Sequence, residues 1–546
     1  MTELFDRHRP MLEAAASALR TRGYWTPFAE VPSGKIYGEH AREEGLASYE
    51  SLLNKPFEIA GHPETARLGA ELSPFGPALG ITYPAAAPGA LIAAGEAARP
   101  ALAAAGIEAR IGVCLEALAR LNAMSFLMAN AVMHTTGQAF AMAFQAGGPH
   151  AQDRALEAVA MAWAEMTRFA AEARWEKPQG KAAPIVLEKH WRVVPVGVSL
   201  AIGCNTFPTW NSYSGIFASL ATGNPVIVKP HPAAILPLAL TVRVLRAVLV
   251  EAGLPADAVL LAVDAPGAEI TKDLATDPAV KLIDYTGSGA FGDWLRAHAR
   301  QAQLFTEETG VNSVVIAGSD DFAGLCANLA FSLALYSGQM CTAPQNIYVP
   351  AGGIETDQGP KSFDEVAAGI AAAIDALLAD PARAEGVLGR LANPATRARL
   401  DAARGLGRVL RESSGEGRLA SPLLLAVDGE DPVSGAECFG PIAFVVSVPD
   451  ADAGIARAAD LAREKGAITA ALWDTDEARI ARAIEAFMAA GVNLSINLSG
   501  AIFVNQSAGF SDFHVTGANP AGTASLTDTA FVTPRFRRVM WRRPAA

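Results

Sequence analysis

From Val193 onward the chain alternates short apolar runs with longer helical ones. Val193 to Ile202, Val226-Ile227-Val228, Val259 to Val263 and Lys281 to Tyr285 read as strands; Trp210 to Leu220, Ile235 to Ala252 and Ala268 to Leu274 read as helices between them. Thr222-Gly223-Asn224-Pro225 stops the first of these helices, with glycine at its end and proline after it. Strands alternating with helices predict a parallel sheet whose ligands sit beyond the strands' carboxyl ends. A second alternation runs through strand Ser313 to Ala317, the apolar helix Leu325 to Tyr336, helix Ser362 to Leu378, strand Ala443 to Val448, helix Ala451 to Lys465 and strand Thr469 to Trp473. Asp474-Thr475-Asp476 then caps a helix from Glu477 to Ala490.

The flanks read differently. Residues 1–84 mix helical patches with Gly/Pro joints such as Pro74-Phe75-Gly76-Pro77 and form an extension. Pro88 to Arg174 is alanine-rich with helical spacing, broken by Gly147-Gly148-Pro149; nothing in it suggests chemistry, and His134 and His150 read as satisfied or surface histidines. Residues 177–192 predict a protruding ribbon, and the tail Phe531 to Trp541, alternating apolar and basic positions, an edge or intersubunit strand. The expected division is an extension over 1–84, a Rossmann-type cofactor domain over 85–306, an α/β catalytic domain over 307–510, and a C-terminal segment with a small β oligomerisation arm over 511–546.

Bulk numbers narrow the class. A chain of 546 residues, 51% hydrophobic, is long enough for two large cores. Its 44 basic and 56 acidic residues, net −12, argue against nucleic acid as a main partner. Cys114, Cys204, Cys326, Cys341 and Cys438 are scattered, with no C-x-x-C pair; this disfavours a disulfide framework and structural zinc and fits a reducing compartment. The start lacks a signal-peptide profile, and no apolar run reaches spanning length, so the expected protein is cytoplasmic and free of membrane.

Chemistry concentrates at Ser337-Gly338-Gln339-Met340-Cys341-Thr342-Ala343. A cysteine on a glycine-permitted turn at a helix end is a candidate nucleophile, and it needs a base or a dipole to become a thiolate. Glu307 lies 34 residues upstream, in Phe305-Thr306-Glu307-Glu308-Thr309-Gly310-Val311-Asn312. The strand and helix between them are similar in length and would return the chain so that Glu307 and Cys341 face each other. Thr286-Gly287-Ser288-Gly289-Ala290-Phe291-Gly292 follows a strand and opens a helix, where a pyrophosphate would fit. Lys229, at a strand's end, reads either as a solvated lysine or as a ribose or phosphate contact.

Lys229-Pro230, the Thr-Gly-Ser-Gly turn, Glu307, Gly-Gln-Met-Cys341 and Glu437-Cys438-Phe439-Gly440-Pro441 occur in one order, and together they resemble the aldehyde dehydrogenase superfamily over residues 88–546. The resemblance implies that Cys341 attacks an aldehyde carbon, that the thiohemiacetal gives hydride to nicotinamide, and that a thioester remains. Glu307 would activate the hydrolytic water, or the thiol itself. Lys229 and Glu437 would hold ribose hydroxyls, Phe439 would lie near the nicotinamide, and Gly287 and Ser288 near the pyrophosphate. No metal is implied.

Two positions depart from the family pattern. Thr206 stands where an asparagine usually precedes Phe-Pro and holds the oxyanion, while Asn205 sits one residue earlier. Losing one such donor costs on the order of 10²–10³ in turnover, so either Asn205 shifts inward, the favoured reading, or the Thr206 hydroxyl donates. In Lys229-Pro230-His231-Pro232, Pro232 replaces a glutamate that many NAD-preferring members have three residues after the lysine, and His231 would help neutralise a 2′-phosphate; NADP is the preferred expectation, NAD the other.

Within the superfamily the chain is most similar to the PaaN-type proteins of phenylacetate degradation, in its long N-terminal extension, its Gly-Cys-Asn-Thr-Phe-Pro-Thr-Trp loop and its Glu-Glu-Thr-Gly-Val-Asn segment. That implies a semialdehyde from aromatic ring opening, free or CoA-linked, a homodimer or homotetramer, and a separate hydratase partner, because the tail ends at Ala546 without a hydratase domain. The rival readings are a CoA-acylating dehydrogenase, against which Glu307 argues, and a non-enzymatic binding protein on the same scaffold. Trp210, Met340 and Phe510 are the expected pocket walls.

Overall fold

The computed structural model describes residues 2–308, 310–500, 503, 509–511 and 513–545; Thr309 and Ala546, within segments read above, lie outside them. Five parallel strands form the first sheet, in spatial order Val259–Leu261, Val226–Lys229, Val198–Ile202, Val280–Thr286 and Gln303–Glu307. The chain enters in the middle, steps outward twice, then crosses to the other side. The order therefore reverses between Val198–Ile202 and Val280–Thr286, and a crevice opens at their carboxyl ends. Buried Val, Ile and Leu on these strands meet the long helices Pro208–Ala221 and Leu236–Glu251.

The second sheet has seven strands in the order Arg408–Arg411, Leu423–Asp428, Ile442–Val448, Asn346–Pro350, Ser313–Ile316, Thr469–Trp473 and Asn493–Ile496. All neighbours are parallel except the antiparallel first pair. Local signals agree with the fold here. Asp476 accepts from Ala478 N at 2.9 Å to start helix Glu477–Ala489, and Ser362 forms a capping box with Glu365 before helix Phe363–Leu378.

The ribbon pairs Glu172–Gln179 with Ala182–Pro195, and the tail strand Phe536–Pro544 adds to its other edge, all antiparallel. Ile185, Val539, Met540 and Trp541 are exposed on it. One element differs from the sequence reading: Val193 to Ile202 is not a single strand. Val193–Pro195 belongs to the ribbon, and the core strand starts at Val198, because Val196 N and Gly197 N both turn to donate to Asn224 Oδ1 at 2.9 and 3.2 Å.

The N-terminal extension is part of the core. Helix Glu3–Thr21 buries Phe5, Leu12 and Ala15 against helices Ile107–Ala123 and Pro149–Thr167. The buried Glu71 accepts from Ile235 N at 2.6 Å and Leu236 N at 3.0 Å, capping helix Leu236–Glu251 from outside the five-stranded sheet. His62 Nε2 accepts from Leu261 N at 2.8 Å, extending the sheet's hydrogen bonding into the extension. Among the described residues no single helix is long and apolar enough to cross a membrane, and all five cysteines are free.

Arg535 pins the tail to the five-stranded sheet. Its fully buried guanidinium donates to Asp284 at 2.6 and 2.8 Å and to Ser219 Oγ at 2.7 Å, and lies over the rings of Phe305 and Phe531. Removing one partner of a buried pair strands the other charge, at about 3–5 kcal/mol. Arg535→Met should therefore cost about that much in urea unfolding, and adding Asp284→Leu should recover most of it; a loss within experimental error for Arg535→Met alone would refute the pinning role.

Candidate active site

The nucleophile loop is a strained turn held from several sides. Helix Phe322–Ala334 ends, and Tyr336, Ser337 and Gly338 follow with φ of +51°, +51° and +64°. Two non-glycine residues in left-handed conformation cost on the order of 1–3 kcal/mol each. The Tyr336 hydroxyl donates to Thr136 O at 2.5 Å, and Ser337 Oγ lies 2.7 Å from Ala420 O. Gln339 donates to Tyr336 O and Arg390 O, each at 3.1 Å, and accepts from Ala392 N at 2.8 Å. A Cβ on Gly338 would fall 2.5 Å from Gly440 O, so only glycine lets this loop touch the Glu437–Pro441 segment.

Asn312 completes the loop. Its amide nitrogen donates to Cys341 O at 2.7 Å and Ala343 O at 3.0 Å, while its oxygen accepts from Ile468 N at 2.9 Å and Thr469 N at 3.0 Å. One buried side chain thus ties the nucleophile's backbone to the start of strand Thr469–Trp473.

Glu307 is the last residue of the edge strand Gln303–Glu307, and its carbonyl accepts from Gly287 N at 3.1 Å. Strand alternation separates the adjacent acids. Glu308 turns to Arg296, at 2.5 and 3.0 Å, whereas Glu307 turns to Cys341. Ligand atoms of Glu307, Cys341 and His514 all lie within 4.8 Å of one another. His514 Nε2 is 3.3 Å from Cys341 Sγ, and Nδ1 is 3.4 Å from Glu307 Oε2. Asn211 Nδ2 donates to Glu307 Oε1 at 2.8 Å.

Burial dominates the electrostatics of this cluster. It raises the Glu307 carboxyl, against the nearby Arg154 charge and hydrogen bonds from Cys341 and Asn211. It raises the Cys341 thiol well above its usual range, with Glu307 adding to the effect. It holds His514 well below the usual imidazole range, and Arg154 pushes the same way. At neutral pH the thiol is protonated and the imidazole neutral.

The remaining candidates fall at the crevice or beside it. Lys229, at its strand's carboxyl end, is buried and forms an ion pair with Asp264 at 2.7 Å. Burial lowers its pKa, against the hydrogen bond and charge of Asp264. His231 is pushed down to about 4 by burial, and its Nδ1 is engaged by Ala233 N at 3.2 Å. Gly287 ends strand Val280–Thr286, and Ser288 caps helix Gly289–His298. Glu437 and Phe439 are half-buried on the segment that Gly338 approaches. Asn205 keeps a buried amide oxygen with no partner among the described residues, and the Thr206 carbonyl accepts from Gln138 at 2.8 Å. The crevice has the donors a dinucleotide needs: a lysine at a strand end and a glycine turn opening a capped helix.

A cavity of about 330 Å³ opens onto Cys341, walled by Met142, Phe207, Trp210, Phe331, Leu335 and Met340. Trp210 and Met340 are thus where the sequence put them. Phe510 is not: it is buried in the core, edge-on to Trp25 at 5.4 Å. Sequence reasoning also passed over the alanine-rich helices, which supply Met142 and Arg154, and over His150, which lines the cavity rim and meets Glu30 at 2.7 Å. His514 was missed altogether. It lies 173 residues from Cys341 in a Gly/Ser/Thr-rich stretch without periodicity, so no spacing signalled it.

Strand order, the Cys341 turn and the facing carboxylate make up an NAD(P)-type oxidoreductase architecture with a candidate cysteine nucleophile. The family model described as the aldehyde dehydrogenase family matches residues 85–511, and the chain belongs to that family. The crystal structure of an NAD-dependent aldehyde dehydrogenase from Burkholderia multivorans is 53% identical, with a TM-score of 0.98, covering 100% of this chain and 99% of that one. A Thermus thermophilus 1-pyrroline-5-carboxylate dehydrogenase, 19% identical over 96% of this chain and 99% of its own with a TM-score of 0.76, shares the fold. Geranial dehydrogenase of Castellaniella defragrans is 30% identical and vanillin dehydrogenase of Pseudomonas fluorescens 29%; each match covers 52% of this chain and 58% of the relative.

Asn312→Ala would leave two carbonyls and two N–H groups unpaired, each buried orphan costing about 1–3 kcal/mol. The variant should lose several kcal/mol on urea unfolding, and Cys341 should become more accessible to alkylation under native conditions. Wild-type stability would contradict the tie.

Proposed function

We propose that the protein oxidises an aldehyde to the carboxylic acid through a covalent thioester on Cys341. The observation that carries this is the meeting of Cys341, on the loop before strand Asn346–Pro350 of one sheet, and Glu307, at the end of the other sheet's edge strand, within 4.8 Å beside the crevice. Lys229, Gly287, Ser288, Glu437 and Phe439 would hold the dinucleotide, whose nicotinamide, when bound, supplies the hydride acceptor. Cys341 attacks the carbonyl carbon, and Asn205 or Thr206 steadies the oxyanion. Glu307, its pKa raised by burial, takes the proton of the water that opens the thioester. A carboxylate this close to the thiol supports hydrolysis over transfer to CoA.

The apolar cavity supports an aldehyde carrying a ring or aliphatic chain, with any polar end directed to the rim at His150, Glu30 and Gln145. The PaaN-type resemblance supports a semialdehyde of aromatic ring opening within that class. The exposed apolar residues of the ribbon support a homo-oligomer.

For the cofactor we favour NAD. Asp264 brings a carboxylate to Lys229, where it opposes the 2′-phosphate of NADP, and a neutral, engaged His231 offers that phosphate no charge. The NADP preference read from Pro232 thus loses its basis, because the carboxylate arrives from the neighbouring strand's end and not from the lysine's own loop. The Burkholderia multivorans protein, described as NAD-dependent, agrees with this reading.

Reduced nicotinamide should form from aromatic and aliphatic aldehydes without added CoA and be abolished by Cys341→Ala with cofactor binding intact. Formation only with CoA would move the protein to the acylating class. Asp264→Ser should raise the NADP-to-NAD ratio of kcat/KM by about tenfold, the equivalent of ~1.4 kcal/mol; an unmoved ratio would remove Asp264 as the discriminator.

A further inference from the structure

A buried neutral thiol is a poor nucleophile, and the resting site leaves Cys341 in that form. Something must take its proton as it attacks. Glu307 is close, but the water step also requires it as a base, and Asn211 already donates to one of its oxygens.

His514 answers the geometry. We propose that His514 is the general base for Cys341, with Glu307 facing its far nitrogen, so that Cys341, His514 and Glu307 act as a thiol–imidazole–carboxylate triad. This rests on the aldehyde-oxidising reading above. Nε2 stands 3.3 Å from Sγ, and Nδ1, buried and unpartnered by any hydrogen bond, stands 3.4 Å from Glu307 Oε2, within ion-pair range. The ring is fixed: Trp210 meets it edge-on at 4.6 Å, and its backbone carbonyl accepts from Asn493 Nδ2 at 2.5 Å. Its side chain is 5% exposed, so bulk water does not compete for the thiol proton.

The step balances within the protein and substrate. The S–H bond breaks as its proton moves to Nε2, the sulfur pair forms the S–C bond, and the carbonyl π pair moves onto oxygen. Imidazolium then exists only while a new anion is present beside it, and the Glu307 carboxylate offsets its charge. The groups around the ring act in opposite directions. Arg154, stacked over Trp210 at 3.9 Å, disfavours imidazolium; Glu307 on the sheet edge favours it; Cys204 and Cys341 carry neutral thiols, both raised by burial. The outcome is a base that stays unprotonated at rest yet becomes effective as charge develops. The arrangement is the thiol counterpart of the nucleophile–base–orienter pattern, assembled here from three separate chain segments.

The test is the pH dependence of Cys341 alkylation by iodoacetamide in the intact protein, followed by mass spectrometry of the Cys341 peptide. It needs no turnover and so is independent of the substrate reading. With a neutral imidazole as base, the wild-type rate should be nearly flat between about pH 6 and 8, because the base is already fully available. In His514→Gln and His514→Ala the rate should fall by on the order of 10²-fold at neutral pH and climb tenfold per pH unit, as direct ionisation of a raised thiol demands. A wild-type rate that already climbs tenfold per unit would overturn the proposal without any variant. So would a flat profile retained by a folded His514 variant, which would make Glu307 the base. Should both variants fail to bind NAD, Glu307→Gln decides: a flat profile kept there leaves His514 as the base, and a rate that climbs tenfold per pH unit there overturns the proposal. Loss of turnover with an intact flat alkylation profile would count against the aldehyde reading and not against the triad.

Discussion

The site depends on one buried amide. Asn312 precedes strand Ser313–Ile316 of the seven-stranded sheet, and its two ends hold the backbone on either side of Thr342 and the start of the adjacent strand. Fixing Cys341 through its own carbonyl leaves the thiol free to face another sheet. The strain of Tyr336 and Ser337 is tolerable because hydroxyl and amide contacts to three other chain segments over-determine the turn. The Cys341 loop is thus held in place by the protein's own contacts.

Around that anchor the chemistry is set by burial and modulated by a few charges. Burial neutralises thiol and imidazole and raises Glu307, while Arg154 pulls Glu307 and His514 in the same downward direction. At the other end of the crevice Lys229 and Asp264 pair at 2.7 Å and offset one another's charge.

The N-terminal extension changes from appendage to structural member in this light. Glu71 and His62 satisfy backbone groups that the cofactor sheet and its long helix cannot satisfy themselves. Tyr83 donates to that same Glu71, so the cap is itself held from within the extension. The crevice is therefore built by residues on both sides of the family-matched region as well as within it.

Much was legible in the linear pattern, for physical reasons that operate over short distances. Apolar runs and capping residues such as Asp476 and Ser362 located strands and helices closely, because period and caps are local properties. The Cys341 turn, the Glu307 strand and the Thr286–Ser288 turn were readable as motifs with fixed spacing. Glu307 was selected over its neighbour Glu308 by its spacing to Cys341, and in the fold Glu307 faces the thiol while Glu308 turns to Arg296. Phe510 was misplaced because an aromatic in an irregular stretch has no period to say which way it points. His514, Asp264 and Arg154 were invisible as site residues: each comes from a segment remote in sequence, and its meaning arises from charges and distances across the interior. The sequence by itself determined the alternating α/β architecture and singled out Cys341 as the candidate nucleophile, because these follow from periodicity and local turn chemistry. Tertiary structure decided which base, which counter-charge and which cavity that nucleophile meets, because those are through-space relations between chain segments that only packing brings together.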